Sequence, residues 1–221
     1  MKDYKYIFFD LDGTLVDNYT AIYLCAKRTF EEFGMTPPDY DTVFRTVGGS
    51  IFITLKKLAN CGDETATKLG ELYLKLYPQY IFEGLKAMDG AREILEALKS
   101  RGKKTACFTN KQEDGARPIL AHLGLDKYLD EIVGTSLHSP RKPDPKYTEF
   151  ALAKLGANAA ESLVVGDSPY DYLAAFNGGV DSALIAGGSN SLEDLIAECP
   201  KAVGHFSNFA DLAKIVFDIN L

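Results

Sequence analysis

Asp10 and Asp12 stand two residues apart in FFDLDGTLVD, directly after an apolar run over residues 4–9. A regular strand sends alternate side chains to one face, so these two carboxylates share a site where the strand ends or bends. Gly13 permits such a bend. Two carboxylates that close repel each other, and a stable arrangement calls for a cation or a shared proton. A phosphoryl-transfer site supplies both. There Asp10, as the anion, attacks phosphorus with a bound Mg²⁺ offsetting repulsion from the phosphate. Asp12, transiently protonated, protonates the leaving oxygen and then deprotonates the incoming water. This second role calls for a carboxyl held above the ordinary value of about 3.9.

The elements that must position these groups are visible in the apolar pattern. The run over residues 4–9 is rich in aromatic and β-branched residues and reads as a buried strand. Short runs of the same kind recur at residues 105–108, 132–133, 163–165 and 182–185, with a weaker one near Val203. Helical patterns lie between them. Ile94, Leu95 and Leu98 mark a helix over residues 90–100 with Gly102 as its stop signal. Asp144 caps a second, with Pro145 at its first position and Tyr147, Phe150, Ala151 and Leu155 as its apolar stripe. The SLED pattern at Ser191 resembles a capping box. Alternation of strand and helix predicts an α/β fold, a doubly wound, Rossmann-like parallel sheet whose ligands bind beyond the carboxyl ends of its strands.

Residues 16–82 lack a strand pattern and read as helical throughout. They hold 11 of the 25 aromatic residues, enough for a small core of their own and far more chain than a crossover helix needs. The expected organisation is an α/β core from residues 1–15 and 83–221 with a helical cap inserted at 16–82.

The 221 residues, 46% of them hydrophobic, suffice for a buried core. A net charge of −7 argues against nucleic acid or an anionic membrane as partner, so an anionic ligand must be held by local lysines, arginines, backbone amides and a cation. Cys25, Cys61, Cys107 and Cys199 show no CxxC spacing and read as reduced thiols. No apolar run approaches the ~20 residues of a membrane span, and no signal-peptide pattern opens the chain. The expectation is a cytoplasmic protein, monomer or homodimer.

FFDLDGTLVD resembles the first motif of the haloacid dehalogenase superfamily, and three further motifs follow in that family's order. Phe108-Thr109-Asn110 resembles the second, which implies that the Thr109 hydroxyl and the adjacent Asn110 amide hold phosphate oxygens. Lys142 in PRKPDP, beside Arg141, resembles the third, a lysine that binds phosphate and restrains the nucleophile. GDSPYD resembles the fourth. Its Asp167 corresponds to a direct magnesium ligand and Asp171 to a supporting carboxylate. Magnesium takes one or two carboxylates and keeps several waters. Asp10, the backbone carbonyl of Asp12 and Asp167 meet that need, with Asp171 behind them or reaching the metal through water.

The resemblance also bears on the substrate. An acid at position 12 favours phosphate-ester chemistry over halide release or carbon–phosphorus cleavage, and Ile22 stands where a β-phosphoglucomutase-like enzyme has a histidine. Residues 44–50, FRTVGGS, resemble the specificity loop of the phosphoglycolate phosphatase-like branch. Arg45, beside Gly48 and Gly49, is a candidate to pair with a substrate carboxylate or phosphate, the alternative being a surface arginine followed by a flexible glycine turn. Met88-Asp89-Gly90 and Asn18 depart from that branch's usual pattern. The expected partner is a small phosphorylated metabolite, phosphoglycolate first, with pyrophosphatase, 5′-nucleotidase and sugar phosphatase as rivals. A receiver-like phospho-aspartate switch is the alternative of another class. Lys111, after the second motif, is a candidate phosphate neighbour but reads first as a surface residue at a helix start, and His122, His138 and His205 read as structural or surface groups.

Overall fold

The computed structural model describes residues 2–137 and 139–221, so His138 lies outside the described residues. In chain order the elements are β1 (Tyr6–Phe9), β2 (Val16–Asp17), α1 (Tyr19–Glu32), α2 (Tyr40–Phe44), α3 (Ile51–Ala59), α4 (Asp63–Leu76), β3 (Lys86–Ala87) and α5 (Ala91–Ser100). There follow β4 (Lys104–Gln112), α6 (Glu113–His122), β5 (Glu131–Thr135), α7 (Pro145–Leu155), β6 (Ser162–Gly166), α8 (Pro169–Asn177), β7 (Asp181–Ile185), α9 (Leu192–Glu198), β8 (Gly204–Phe206) and α10 (Phe209–Phe217). The chain forms two compact units, Met1–Asp17 with Ala87–Leu221, and Asn18–Lys86.

The first unit is built on a six-stranded sheet in the order β5-β4-β1-β6-β7-β8, with every pairing parallel. β1 is buried on both faces, which is why it reads as a continuous apolar run rather than an alternating one. Phe8 packs edge-on against Phe108 in a cluster with Val133, Tyr147, Ala151 and Val164. Phe9, on the opposite face, meets Phe209 of α10. Asp144 caps α7 by accepting from the Lys146 amide at 2.9 Å, and Ser191 accepts from the Asp194 amide at the start of α9. Both helix starts follow the sequence pattern.

Register is what assembles the site. Phe9 lies level with Cys107 on β4 and Val165 on β6, so Asp10, the segment from Thr109 and Asp167 emerge at one edge of the sheet. From β1 the chain first builds outward through β4 and β5, then returns to lay β6, β7 and β8 on the other side. The carboxyl end of β1 is thus the point at which strand order reverses, where open α/β sheets bind ligands.

The second unit consists of α1 to α4 and a short 3₁₀ turn at Tyr77–Gln79. Its core includes Ile22, Cys25, Phe30, Leu55, Leu69 and Tyr73. Gly70 lets α4 approach Phe52 so closely that a Cβ there would sit 2.3 Å from the ring. One local expectation needs correcting: Val16 and Asp17 are extended rather than helical, because the turn after β1 closes with the Gly13 amide donating to the Val16 carbonyl. No helix among the described residues is long and apolar enough to cross a membrane. All four cysteines are free thiols.

Candidate active site

The ladder of β1 continues one residue past the strand, since the Asp10 amide donates to the Val165 carbonyl at 2.9 Å. The chain then turns sharply. The Leu11 carbonyl accepts from the amides of Thr14, Leu15 and Val16, and Gly13 adopts φ 88°, a left-handed conformation that glycine takes without cost. This tight loop breaks the strand alternation and lets Asp10 and Asp12 lie at one edge. It also aims the Thr14 hydroxyl at Asp167, to which it donates at 2.7 Å.

Asp10, Asp167 and Asp171 are all buried, and each offers an oxygen within 4.8 Å of the others. Lys142, 1% exposed, lies between two of them, with Nζ 2.9 Å from Asp10 Oδ1 and 2.6 Å from Asp171 Oδ1. Asp171 Oδ2 accepts from the Ser168 amide and hydroxyl. Both oxygens of Asp171 are therefore engaged by the protein, which makes it a clamp on Lys142. Asp10 Oδ1 meets Lys142 by charge without an aligned hydrogen bond.

Burial pushes the Asp10 carboxyl up to about 7 against the opposing pull of Lys142. Burial also drives Asp167 well above the carboxylate range, reinforced by the charges of Asp10 and Asp171. For Lys142, burial works against the ammonium, but the two flanking carboxylates outweigh it and the net shift is upward. Three carboxylates face one ammonium, so full ionisation leaves two negative charges without a counter-charge. An oxygen-rich donor set with that deficit fits a hard divalent cation such as Mg²⁺. Asp10 and Asp167 have the carboxylates to hold it, together with the main-chain carbonyl of Asp12.

Asp12 has its own partner. Lys111 Nζ lies 2.9 Å from Asp12 Oδ2, with both side chains largely buried. This corrects the expectation of a surface lysine at a helix start, because β4 runs on through Lys111 to Gln112 and carries the lysine inward. Thr109 is buried, and its Oγ1 accepts from the Lys111 amide at 3.2 Å. The Asn110 side chain forms a reciprocal pair with the main chain of Lys142. Its Oδ1 accepts from the Lys142 amide at 2.8 Å and its Nδ2 donates to the Lys142 carbonyl at 3.2 Å. Those side-chain groups are thus spent on positioning Lys142. Arg141 turns to the Leu137 carbonyl.

The structure brings together Asp10, Asp12, Thr109, Asn110, Lys142, Asp167 and Asp171 in the first unit. Arg45, Gly48 and Gly49 belong to the second. There Arg45 is exposed just past α2, Gly48 turns the chain at φ 134°, and Ser50 caps α3. Several supporting residues escaped the sequence reading. Thr14 and Ser168 lie inside recognised motifs, and the Ser-x-x-Asp spacing of Ser168 and Asp171 was a readable cap signal. Asn190, which donates to the Asp167 carbonyl at 3.1 Å, had no local signal. His122 ends α6, and His205 on β8 lies 3.1 Å from the Cys199 carbonyl.

Residues 7–185 match the pattern of the haloacid dehalogenase-like hydrolases. The chain belongs to that family. This haloacid dehalogenase-like hydrolase is 33% identical over 212 residues to a phosphoglycolate phosphatase of Aquifex aeolicus, covering 96% of each chain. It is 34% identical over 220 residues to a phosphoglycolate phosphatase of Rhodospirillum rubrum, covering 96% of this chain and 89% of that one. Among solved structures, a protein described as a predicted phosphatase from Clostridium acetobutylicum superposes with a TM-score of 0.87 at 26% identity, covering 99% of this chain and all of the other.

Proposed function

We propose that this phosphate-ester hydrolase works through a phosphorylated Asp10 and that Mg²⁺ is its metal. The observation that carries the reading is the buried group of Asp10, Asp167 and Asp171 around Lys142, beside the strand ends where the strand order reverses. An oxygen of Asp10 attacks phosphorus. As the new O–P bond forms, the bond to the ester oxygen breaks, and Asp12 gives that oxygen its proton. Asp12 then takes a proton from water, whose oxygen attacks the aspartyl-phosphate. Inorganic phosphate leaves and the Asp10 carboxylate returns.

Lys142 favours the ionised Asp10 that the first step needs, opposing the burial that drives its carboxyl up. Lys111 orients Asp12 and carries positive charge to the edge where the phosphate binds. The Thr109 hydroxyl and the Asn110 amide are the remaining phosphate ligands. When bound, Mg²⁺ neutralises the excess of carboxylate charge and offsets its repulsion of the phosphate.

The substrate we propose is a small phosphorylated metabolite, phosphoglycolate first, met in the cytoplasm. The names and near-full-length coverage of the curated relatives support this choice. Arg45, exposed beside a glycine turn, is the group we assign to a substrate carboxylate. The test is phosphate release from a panel of phosphorylated metabolites with Mg²⁺, ranked by kcat/KM, alongside an aryl phosphate. Asp10→Asn must abolish release on every substrate while leaving the circular dichroism spectrum unchanged. Full activity in that variant removes Asp10 as nucleophile, and a flat panel removes the assigned substrate.

A further inference from the structure

Between Phe108, level with Val133, and Gln112, level with Thr135, β4 advances four residues while β5 advances two. The extra residues form a bulge over 109–111, and a bulge leaves backbone groups without a regular ladder partner. Buried carbonyls need one. Here two side-chain hydroxyls supply it. The Tyr147 hydroxyl lies 2.6 Å from the Thr109 carbonyl and 2.9 Å from the Val133 carbonyl, so its single proton is shared between the two strands where their register breaks. The Thr135 hydroxyl donates to the Asn110 carbonyl at 3.0 Å.

This segment governs both lysines of the site. Asn110 grips the main chain of Lys142, and Lys111 itself pairs with Asp12. A second link runs through the rings: Tyr147 stacks on Phe108 at 4.9 Å, and Lys142 Nζ lies 5.2 Å from the centre of Phe108. Gly134, between the two bonded positions of β5, clears the way for the chain leaving the bulge, since a Cβ there would lie 2.5 Å from Glu113 Cα. Tyr147 is fully enclosed, and burial keeps its phenol protonated, hence a donor.

We propose that the hydroxyls of Tyr147 and Thr135 are positioning groups for the reaction: they hold the 109–111 bulge in the one shape that points Lys111 at Asp12 and anchors Lys142 at Asp10. Tyr147 reads in the sequence only as part of an apolar stripe, which its ring satisfies and its hydroxyl does not. The inference rests on the proposed phosphatase chemistry for its kinetic consequence, but the hold on the bulge is measurable without turnover.

The test pairs Tyr147→Phe with Thr135→Val, each removing a hydroxyl with little change of shape. For aryl phosphate with Mg²⁺, each variant should lose about tenfold to hundredfold in kcat/KM, the scale of a misplaced catalytic group. Amide hydrogen exchange should accelerate in peptides spanning 108–112 and not across the sheet. In an Asn110→Ala background, Tyr147→Phe should cost less than it does alone, because the link to Lys142 is already cut while that to Lys111 remains. Full additivity there, or kcat/KM within about twofold of wild type with unchanged exchange in both single variants, overturns the proposal. An inactive wild-type protein would instead overturn the phosphatase reading, and hydrogen exchange would still decide whether the hydroxyls hold the bulge.

Discussion

Burial of the site's carboxylates, reinforced by their charge excess, makes the metal-free protein lose stability as pH rises through neutrality, opposite to the usual behaviour of a salt-bridged carboxylate. Asp10 is held up to about 7 in the folded chain and returns to about 3.9 when unfolded. Between those values the folded state binds more protons than the unfolded one, so stability falls with rising pH at roughly 1.4 kcal/mol per unit. From pH 5.5 to 7 that amounts to roughly 2 kcal/mol, or about 4–8 °C in Tm for a chain of this size. Asp167, raised well above its ordinary value, acts in the same direction. Lys142 does not contribute in this window, because the stability of a raised ammonium is lost only above the ordinary lysine value near ~10.4. The lowered carboxyls of Glu113, Asp130 and Asp181 act only at more acidic pH. The assay is thermal unfolding followed by circular dichroism from pH 5.5 to 8, in EDTA and in millimolar MgCl₂. In EDTA, Tm should fall across pH 5.5–7, and Asp10→Asn should reduce that slope by about one proton's worth. Mg²⁺, which needs the ionised carboxylates, should raise Tm more at pH 8 than at pH 5.5. A Tm in EDTA that is flat or rising over this range, or a metal-induced shift independent of pH, refutes the argument from uncompensated charge.

Three further outcomes are expected. Lys111→Met should lower kcat by about tenfold to hundredfold by releasing Asp12, with partial recovery in Lys111→Arg; steady-state kinetics on aryl phosphate checks both. Gly166→Ala should cost about 1–3 kcal/mol in denaturant unfolding, because the new Cβ would fall 2.1 Å from Asp171 Cγ and push the clamp off Lys142. Arg45→Ala should reduce kcat/KM for phosphoglycolate at least tenfold more than for an aryl phosphate, on the order of one charge-assisted hydrogen bond. Equal losses on both substrates would remove Arg45 from substrate recognition.

Much of this was legible in the chain because it rests on local rules. Apolar runs ending at Asp10 and Asp167 read as buried strands, and parallel pairing in register then carries both carboxylates to one edge. Asp144 with Pro145, and Ser191 with Asp194, announce helix starts through short-range hydrogen bonds. Lys111 was misread because its strand does not stop where its apolar pattern does. Thr109, Asn110 and Lys111 are polar, so periodicity ends the strand at Phe108, yet α7 and β5 continue to support them through the hydroxyls of Tyr147 and Thr135. Tyr147, 38 positions beyond Thr109 in sequence, decides that, and nothing near Lys111 reports it.

The same contrast explains why the motifs outrun their own residues. Asp10, Lys142 and Asp167 are recognisable by type and context, whereas the groups that aim them are ordinary residues supplied by tertiary packing. Thr14 turns Asp167, Asn190 holds its carbonyl, Ser168 fixes Asp171, and Asn110 spends its amide on a lysine backbone. A buried cluster of like charges tolerates little error, because each carboxylate must be near enough to share a cation and far enough to stay ionised. Placement to that tolerance requires side chains whose own hydrogen bonds are complete. The candidate carboxylates can therefore be named from the strand ends, but their geometry depends on partners that only the folded chain brings within reach.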